Sequence, residues 1–339
     1  MALPGPAAPL ALPVTVRHHP EAGRLTRHAQ EWAERFELIN GADGAGRLAR
    51  GAPARLAAAM LPDAAQPEAD LAACWMTWTF FLDDAYEEGP GGTTTAWSAV
   101  TDTFRPLLAW QPAPPGAPPL FRALGDLMDR LRRHTSPAWQ RRFSGHLADA
   151  LTAVRREIAL RDTGVPPTLA EYRTLRRDTS GFVPTLDILE VCHRAELPPA
   201  VHGAPAYQDL LRAAIDTNAW SNDLYSLDKE VACGLVTNLV LILEHERGLT
   251  RAAARRTARA MIEDRAADLT RALHRLPPGD APVNRCATAV AHLVAGWLEW
   301  HARGTDRYTT PAPGAAPVPS ARTDPDRLPG RRAPGSARG

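Results

Sequence analysis

The sequence predicts an all-α protein, a single-domain bundle of helices. Three observations predict it: long stretches with apolar residues at helical spacing, almost no period-two alternation, and prolines gathered at the joints between stretches. Helices are expected at 25–40, 67–88, 94–110, 119–133, 136–162, 168–194, 205–233, 236–247, 250–276 and 282–303. Pro112–Pro119 divides the third from the fourth, Pro166–Pro167 the fifth from the sixth, Pro198–Pro199 the sixth from the seventh, and Pro277–Pro278 the last two. The sixth should be interrupted around Gly181 and Pro184, because proline removes a backbone donor and disfavours helical geometry at Val183. A break inside a buried helix frees carbonyls toward the cavity it faces. Residues 1–16 and 310–339 are rich in Pro, Ala and Gly and hold few large apolar groups, so both are expected to be disordered segments flanking one domain at 17–309.

Composition narrows the function. The 339 residues, 45% hydrophobic and 23% charged, suit a globular protein with a sizeable core. With 39 basic against 38 acidic side chains, a net charge of +1 argues against a nucleic-acid partner bound by bulk electrostatics. No stretch approaches the roughly 18 to 20 uninterrupted apolar residues of a membrane span. The N-terminus lacks a charged n-region and is broken by prolines, so secretion is not expected. Cys74, Cys192, Cys233 and Cys286 have neither CxxC spacing nor a disulfide framework, which suits a reducing cytoplasm.

Two acidic clusters carry the chemistry. The apolar run Trp75–Leu82 ends in Asp83, Asp84, Glu87 and Glu88. Asp83 and Glu87 are four apart on one helical face, where two carboxylates repel unless a cation joins them, and acidic groups at a helix C-terminus also oppose the dipole. Oxygen-only ligands point to a hard ion such as magnesium. The second cluster is Ala219-Trp220-Ser221-Asn222-Asp223-Leu224-Tyr225-Ser226-Leu227-Asp228-Lys229-Glu230. At about 100° per residue, Asn222, Ser226 and Glu230 span an arc of roughly 80°, with Lys229 beside them. An amide oxygen, a hydroxyl and a carboxylate form a second hard-cation site, and the adjacent ammonium meets a polyanion. Lys229 is the only lysine in a chain that otherwise uses arginine, a different kind of cation.

With these motifs in view, the chain resembles the bacterial class I terpene synthases over about residues 15–310. The likeness runs through HPEAGRLTRHAQEWAERFELI, RLAAAMLPDAAQPEADLAACWMTWTFFLDDAYEE, EYRTLRRDTSGFVPTLDILE and WSNDLYSLDKE, and closes at Arg307-Tyr308. The resemblance implies a helical bundle of the class I terpenoid synthase type with a central active-site cavity. It implies that Asp83, Asp84 and Glu87 form the aspartate-rich metal motif, with Glu standing at the last position where the family often has Asp. It implies that Asn222, Ser226 and Glu230 hold the other magnesium, three ions in all, and that Lys229 contacts diphosphate. Arg176, which lies 46 positions before Asn222, is similar to the family's diphosphate-sensing arginine, with Arg177 the neighbouring candidate. Ser180 and Gly181 sit where the family's helix break presents a carbonyl to substrate, and Arg307 and Tyr308 match the pair that donates to diphosphate on closure.

The expected reaction is magnesium-dependent ionisation and cyclisation of a prenyl diphosphate, farnesyl diphosphate first, with geranyl and geranylgeranyl chains as alternatives. The allylic cation needs shelter from water and π faces, for which Phe80, three residues ahead of Asp83, is the first choice among the chain's aromatics. A chain-elongating synthase normally carries two aspartate-rich motifs and this chain has one. A non-enzymatic magnesium-binding bundle would need neither Lys229 nor Arg307. The expected partner is the substrate, with no nucleic acid and no membrane span; the family admits a homodimer.

Overall fold

The computed structural model of the chain describes residues 12, 14–39, 41–87, 93–276 and 281–308, without the side chains of 42, 43, 86 and 87. The expected disorder at 310–339, and most of that at 1–16, lies outside them, as do the side chain of Glu87 and all of Glu88.

Among the described residues the structure is helical and holds no strand. The order is α1 (Ala22–Arg35), α2 (Gly41–Gly51), α3 (Pro53–Met60), α4 (Gln66–Glu87), α5 (Thr94–Leu108), α6 (Pro119–Arg132), α7 (Pro137–Thr163), α8 (Leu169–Thr179), α9 (Phe182–Cys192), α10 (Pro199–His202), α11 (Pro205–Ala232), α12 (Leu239–Arg247), α13 (Arg251–Arg275) and α14 (Pro282–Glu299), then a π-helical turn, Trp300–Gly304. No helix among the described residues is long and apolar enough to cross a membrane.

Local chemistry explains most boundaries. Thr168 caps α8 in a reciprocal box with Glu171, and Ser136 and Thr250 cap α7 and α13 by accepting from the third backbone N–H. The expected helix 168–194 is two helices, because Gly181 takes φ +68, the left-handed region that glycine enters without a Cβ clash. The helix expected from 236 starts at 239, since Asn238 folds its side chain back onto Val240 N as a cap. Three helices, α2, α3 and the four-residue α10, were not expected. The glycine-rich GADGAGRLARG has weak intrinsic propensity, and α3 is only eight residues long. Packing holds α3, where every residue except Arg55 is buried. Gly296 of α14 makes that packing possible: a Cβ there would lie 2.7 Å from the Ala59 carbonyl carbon.

In α4 every residue from Ala69 to Trp78 is buried, so this helix is covered all round there and runs through the middle of the bundle against α1, α3, α6 and α9. A second long helix, α11, packs on α8, α12, α13 and α14. Around α4 the core is aromatic, with Trp75–Trp78 at 5.2 Å and Phe104–Phe121 at 4.4 Å between ring centroids. A smaller core of Tyr172, Trp220, Leu239 and Ile262 joins α8, α11, α12 and α13. The C-terminal ends of α4 and α11, the α8–α9 break and the segment after α14 meet at one end of the bundle.

Candidate active site

At that end two hollows adjoin. The outer one, about 380 Å³, is polar, and Asp83, Asn222, Ser226, Lys229, Glu230 and Tyr308 line it together. The inner one, about 870 Å³, runs down between α4, α7 and the α8–α9 break; Trp75, Trp78, Phe80, Phe182 and Trp297 supply its aromatic wall. Asp83, Arg176, Asn222 and Tyr308 touch both. The two acidic clusters therefore share one mouth, instead of facing opposite outer surfaces.

Asp83 and Asp84 sit on the last turn of α4, where no N–H of their own helix neutralises them. Arg307 does so: its Nη2 donates to Asp83 Oδ2 at 2.8 Å and to Asp84 Oδ1 at 2.5 Å. Burial works against the Arg307 charge, but Asp84 and Asp83 outweigh it and raise its basicity. Its guanidinium carbon lies 5.1 Å from the centre of the Phe80 ring. Lys229 Nζ approaches Asp84 to 4.0 Å, linking the α4 and α11 clusters.

On α11 the donors are oriented by their neighbours. Asn222 Nδ2 donates to Tyr308 Oη at 2.9 Å and lies 3.2 Å from His301 Nε2, which turns Oδ1 toward Arg176 Nη2 at 2.8 Å. The single proton of Ser226 goes to the Asn222 carbonyl (2.8 Å) or to Glu230 Oε1 (2.6 Å), so lone pairs on its oxygen remain for a cation. Glu230 Oε2 accepts from Asn238 Nδ2 at 2.9 Å. Burial pushes the Glu230 carboxyl up to about 7, with Asp223 adding to the effect and Arg176 opposing it. Amide, hydroxyl and carboxylate oxygens around one polar hollow fit a hard divalent cation.

Arg176 and Arg177 part ways. Adjacent helical residues point about 100° apart, and their partners differ. Arg176 Nε donates to Asp223 Oδ1 at 2.9 Å, and its side chain lines both hollows. Arg177 instead clasps Asp216, Nε to Oδ1 at 2.7 Å and Nη2 to Oδ2 at 2.8 Å, and lines neither. In this geometry Arg177 ties α8 to α11. Ser180 and Gly181 do line the inner hollow, but the Gly181 carbonyl accepts from Thr185 Oγ1 at 2.9 Å, whose oxygen in turn accepts from Trp75 Nε1.

Sequence reasoning missed several groups. Asp223, wholly buried, accepts from Tyr172 Oη at 2.5 Å and Leu239 N at 2.6 Å as well as from Arg176, so it seats the arginine. Its place next to Asn222 was visible, yet a 100° turn aims it at α8 and α12. Glu157 of α7 lines the polar mouth and receives Thr237 Oγ1, with no motif to announce it. His301 and Phe182 were also overlooked. Three further aromatics near the two clusters, Phe81, Trp220 and Trp300, do not line the inner hollow.

Residues 74–268 match a family model described as terpene synthase family 2, C-terminal metal binding. The chain is 32% identical over 305 residues to (-)-delta-cadinene synthase of Streptomyces clavuligerus, covering 86% of this chain and 92% of that protein. It is 31% identical over 301 residues to (+)-T-muurolol synthase of Roseiflexus castenholzii, named as cyclising (2E,6E)-farnesyl diphosphate, covering 83% and 88%. The crystal structure of linalool/nerolidol synthase from Streptomyces clavuligerus superposes with a TM-score of 0.79 at 25% identity, covering 86% of this chain and 99% of that one.

Proposed function

We propose, from the premise that this chain belongs to the terpene synthase family, that it ionises and cyclises farnesyl diphosphate to a cyclic terpene and releases diphosphate. One observation carries the reading: two oxygen-rich clusters from α4 and α11 share a polar mouth that opens directly into an aromatic hollow of about 870 Å³. A diphosphate head and a hydrocarbon tail need that polarity gradient. The farnesyl chain length is supported by the relatives, one of which is named for cyclising that substrate.

Asp83, Asp84 and Glu87 on one side, and Asn222, Ser226 and Glu230 on the other, would hold magnesium, three ions in all. Bound there, magnesium would neutralise charge on the diphosphate. The protein's own cations do the rest. Arg176, Lys229 and Arg307 converge on the mouth, and Tyr308 adds a hydroxyl. As the allylic C–O bond breaks, its electron pair moves onto the diphosphate, and donors aimed at those oxygens bind the developing charge more strongly than the ground state. Phe80, Trp75, Trp78, Phe182 and Trp297 then present π faces to the hydrocarbon cation, worth on the order of 1–2 kcal/mol each when desolvated, and they exclude water. Four free cysteines accord with a reducing, cytoplasmic setting.

Incubating the protein with farnesyl diphosphate and magnesium, followed by headspace gas chromatography, tests the reading. Cyclic hydrocarbon or alcohol that vanishes with a chelator is expected. Intact substrate, or a longer diphosphate, overturns it; geranyl and geranylgeranyl diphosphates in parallel decide chain length.

A further inference from the structure

The segment that carries Arg307 and Tyr308 is not helical. After the π-helical turn Thr305 is extended (φ −142, ψ 147), so the local ladder no longer holds the chain in place. Its support comes from the other end of the sequence. The α2–α3 corner reverses at Ala52, which is left-handed (φ 46), and Pro53 follows with no N–H. That reversal takes the carbonyls of Arg50 and Gly51, at the end of α2, out of reach of ordinary helical donors. The segment after α14 supplies them. Asp306 N donates to Arg50 O at 3.0 Å, Thr305 Oγ1 donates to Arg50 O at 2.8 Å, and Trp300 Nε1 donates to Gly51 O at 3.0 Å. The Thr305 hydroxyl also accepts from Arg307 N at 3.1 Å, so one side chain pins the backbone of the arginine to the corner.

Gly51 has a second contact. A Cβ at this position would lie 3.1 Å from Phe80 Cδ1. The Phe80 ring has little room to retreat, with the Trp300 ring edge-on at 5.4 Å and Arg307 over it at 5.1 Å. The missing side chain thus lets the ring stand where it lines the hollow and carries the arginine.

We propose that the α2–α3 corner is the seat of the diphosphate-gripping segment, with Thr305 and Gly51 as positioning residues: Thr305 sets the aim of Arg307 and Tyr308, and Gly51 sets the Phe80 ring. This rests on the terpene synthase reading above. It gives the N-terminal helices, which lie outside residues 74–268, a part in diphosphate affinity and in product choice.

Three variants test it: Thr305→Val, Thr305→Ser and Gly51→Ala. Binding of inorganic diphosphate in the presence of magnesium is measured by titration calorimetry, and KM, kcat and product ratios with farnesyl diphosphate. Thr305→Val removes two ordinary hydrogen bonds, so its diphosphate affinity should fall on the order of tenfold and KM rise in step, with kcat changed less. Thr305→Ser should restore both. Gly51→Ala should shift the product ratio, and it serves as the independent arm should Thr305→Val fail to fold. Wild-type affinity in Thr305→Val, a Ser variant as impaired as the Val variant, or an unaltered product ratio in Gly51→Ala overturns the proposal. If the wild type itself neither binds diphosphate nor yields terpene, the functional reading fails instead.

Discussion

Replacing Asp223 by asparagine should damage this protein more than its distance from solvent or substrate suggests. The carboxylate is wholly buried and receives Arg176 Nε at 2.9 Å, Tyr172 Oη at 2.5 Å and Leu239 N at 2.6 Å. Burial alone pushes the Asp223 carboxyl up, and Arg176 leads the groups that oppose it. Burial also works against the Arg176 charge, yet Asp223 and then Glu230 raise its basicity above the ordinary value, so the guanidinium stays charged with or without the partner. Asp223→Asn therefore leaves a buried cation uncompensated and turns an acceptor into an NH₂ that faces existing donors. Breaking a buried pair in this way costs about 3–5 kcal/mol, a large share of the roughly 5–15 kcal/mol that holds a typical protein folded. At about 2 °C per kcal/mol for a chain of this size, the melting temperature should drop by roughly 6–10 °C. The assay is urea unfolding followed by circular dichroism, on Asp223→Asn, Arg176→Met and the double variant. With both charges gone, the double variant should lose less than the sum of the singles, by about 2 kcal/mol or more. A cost below about 1 kcal/mol for Asp223→Asn, or strictly additive singles, would refute the reasoning.

Other predictions follow from the same geometry. Asp83→Asn or Asn222→Leu should abolish terpene formation while leaving the helical circular-dichroism spectrum unchanged; full turnover in either would remove that cluster from the metal site. Arg177→Met should lower stability by about 1–3 kcal/mol, because the buried Asp216 keeps its ion pair with Arg265 but loses the two-pronged clasp of Arg177, yet keep KM for the prenyl diphosphate near the wild-type value. A large KM increase would mark Arg177 as a substrate contact. Burial, then Arg142, pushes His202 down to about 4 from an ordinary 6.5. Its folded form is therefore neutral while the unfolded chain takes up a proton, and the stability it contributes is lost as pH falls from about 6.5 toward 4. Unfolding titrations of His202→Gln should show a shallower acid-side decline than wild type, by up to one proton; superimposable curves would exclude His202 as a contributor.

The long helices were legible because their apolar spacing and bounding prolines are local signals, and so was the break at Gly181, where proline chemistry and glycine freedom agree. The pairing of the two acidic clusters was legible too, through the 80° arc on α11 and the C-terminal carboxylates on α4. What stayed hidden depends on partners far along the chain. Arg176 and Arg177 are chemically identical; only the positions of Asp223 and Asp216 on α11 send one into the mouth and the other away from it. Helix α3 owes its existence to burial against α4 and α14, which its eight residues do not announce, and the glycine-rich composition of α2 conceals that helix. Glu157 sits in an ordinary amphipathic stretch, and only tertiary packing brings it beside Arg176 and Glu230.

The most direct test of the account is a crystal structure grown with manganese, as an anomalous stand-in for magnesium, and inorganic diphosphate. Anomalous peaks bridging Asp83 on one side and Asn222, Ser226 and Glu230 on the other, with diphosphate between them and within reach of Arg176, Lys229 and Arg307, are the predicted outcome. Metal and diphosphate bound away from that mouth, or a mouth that stays empty at saturating concentrations of both, would contradict it.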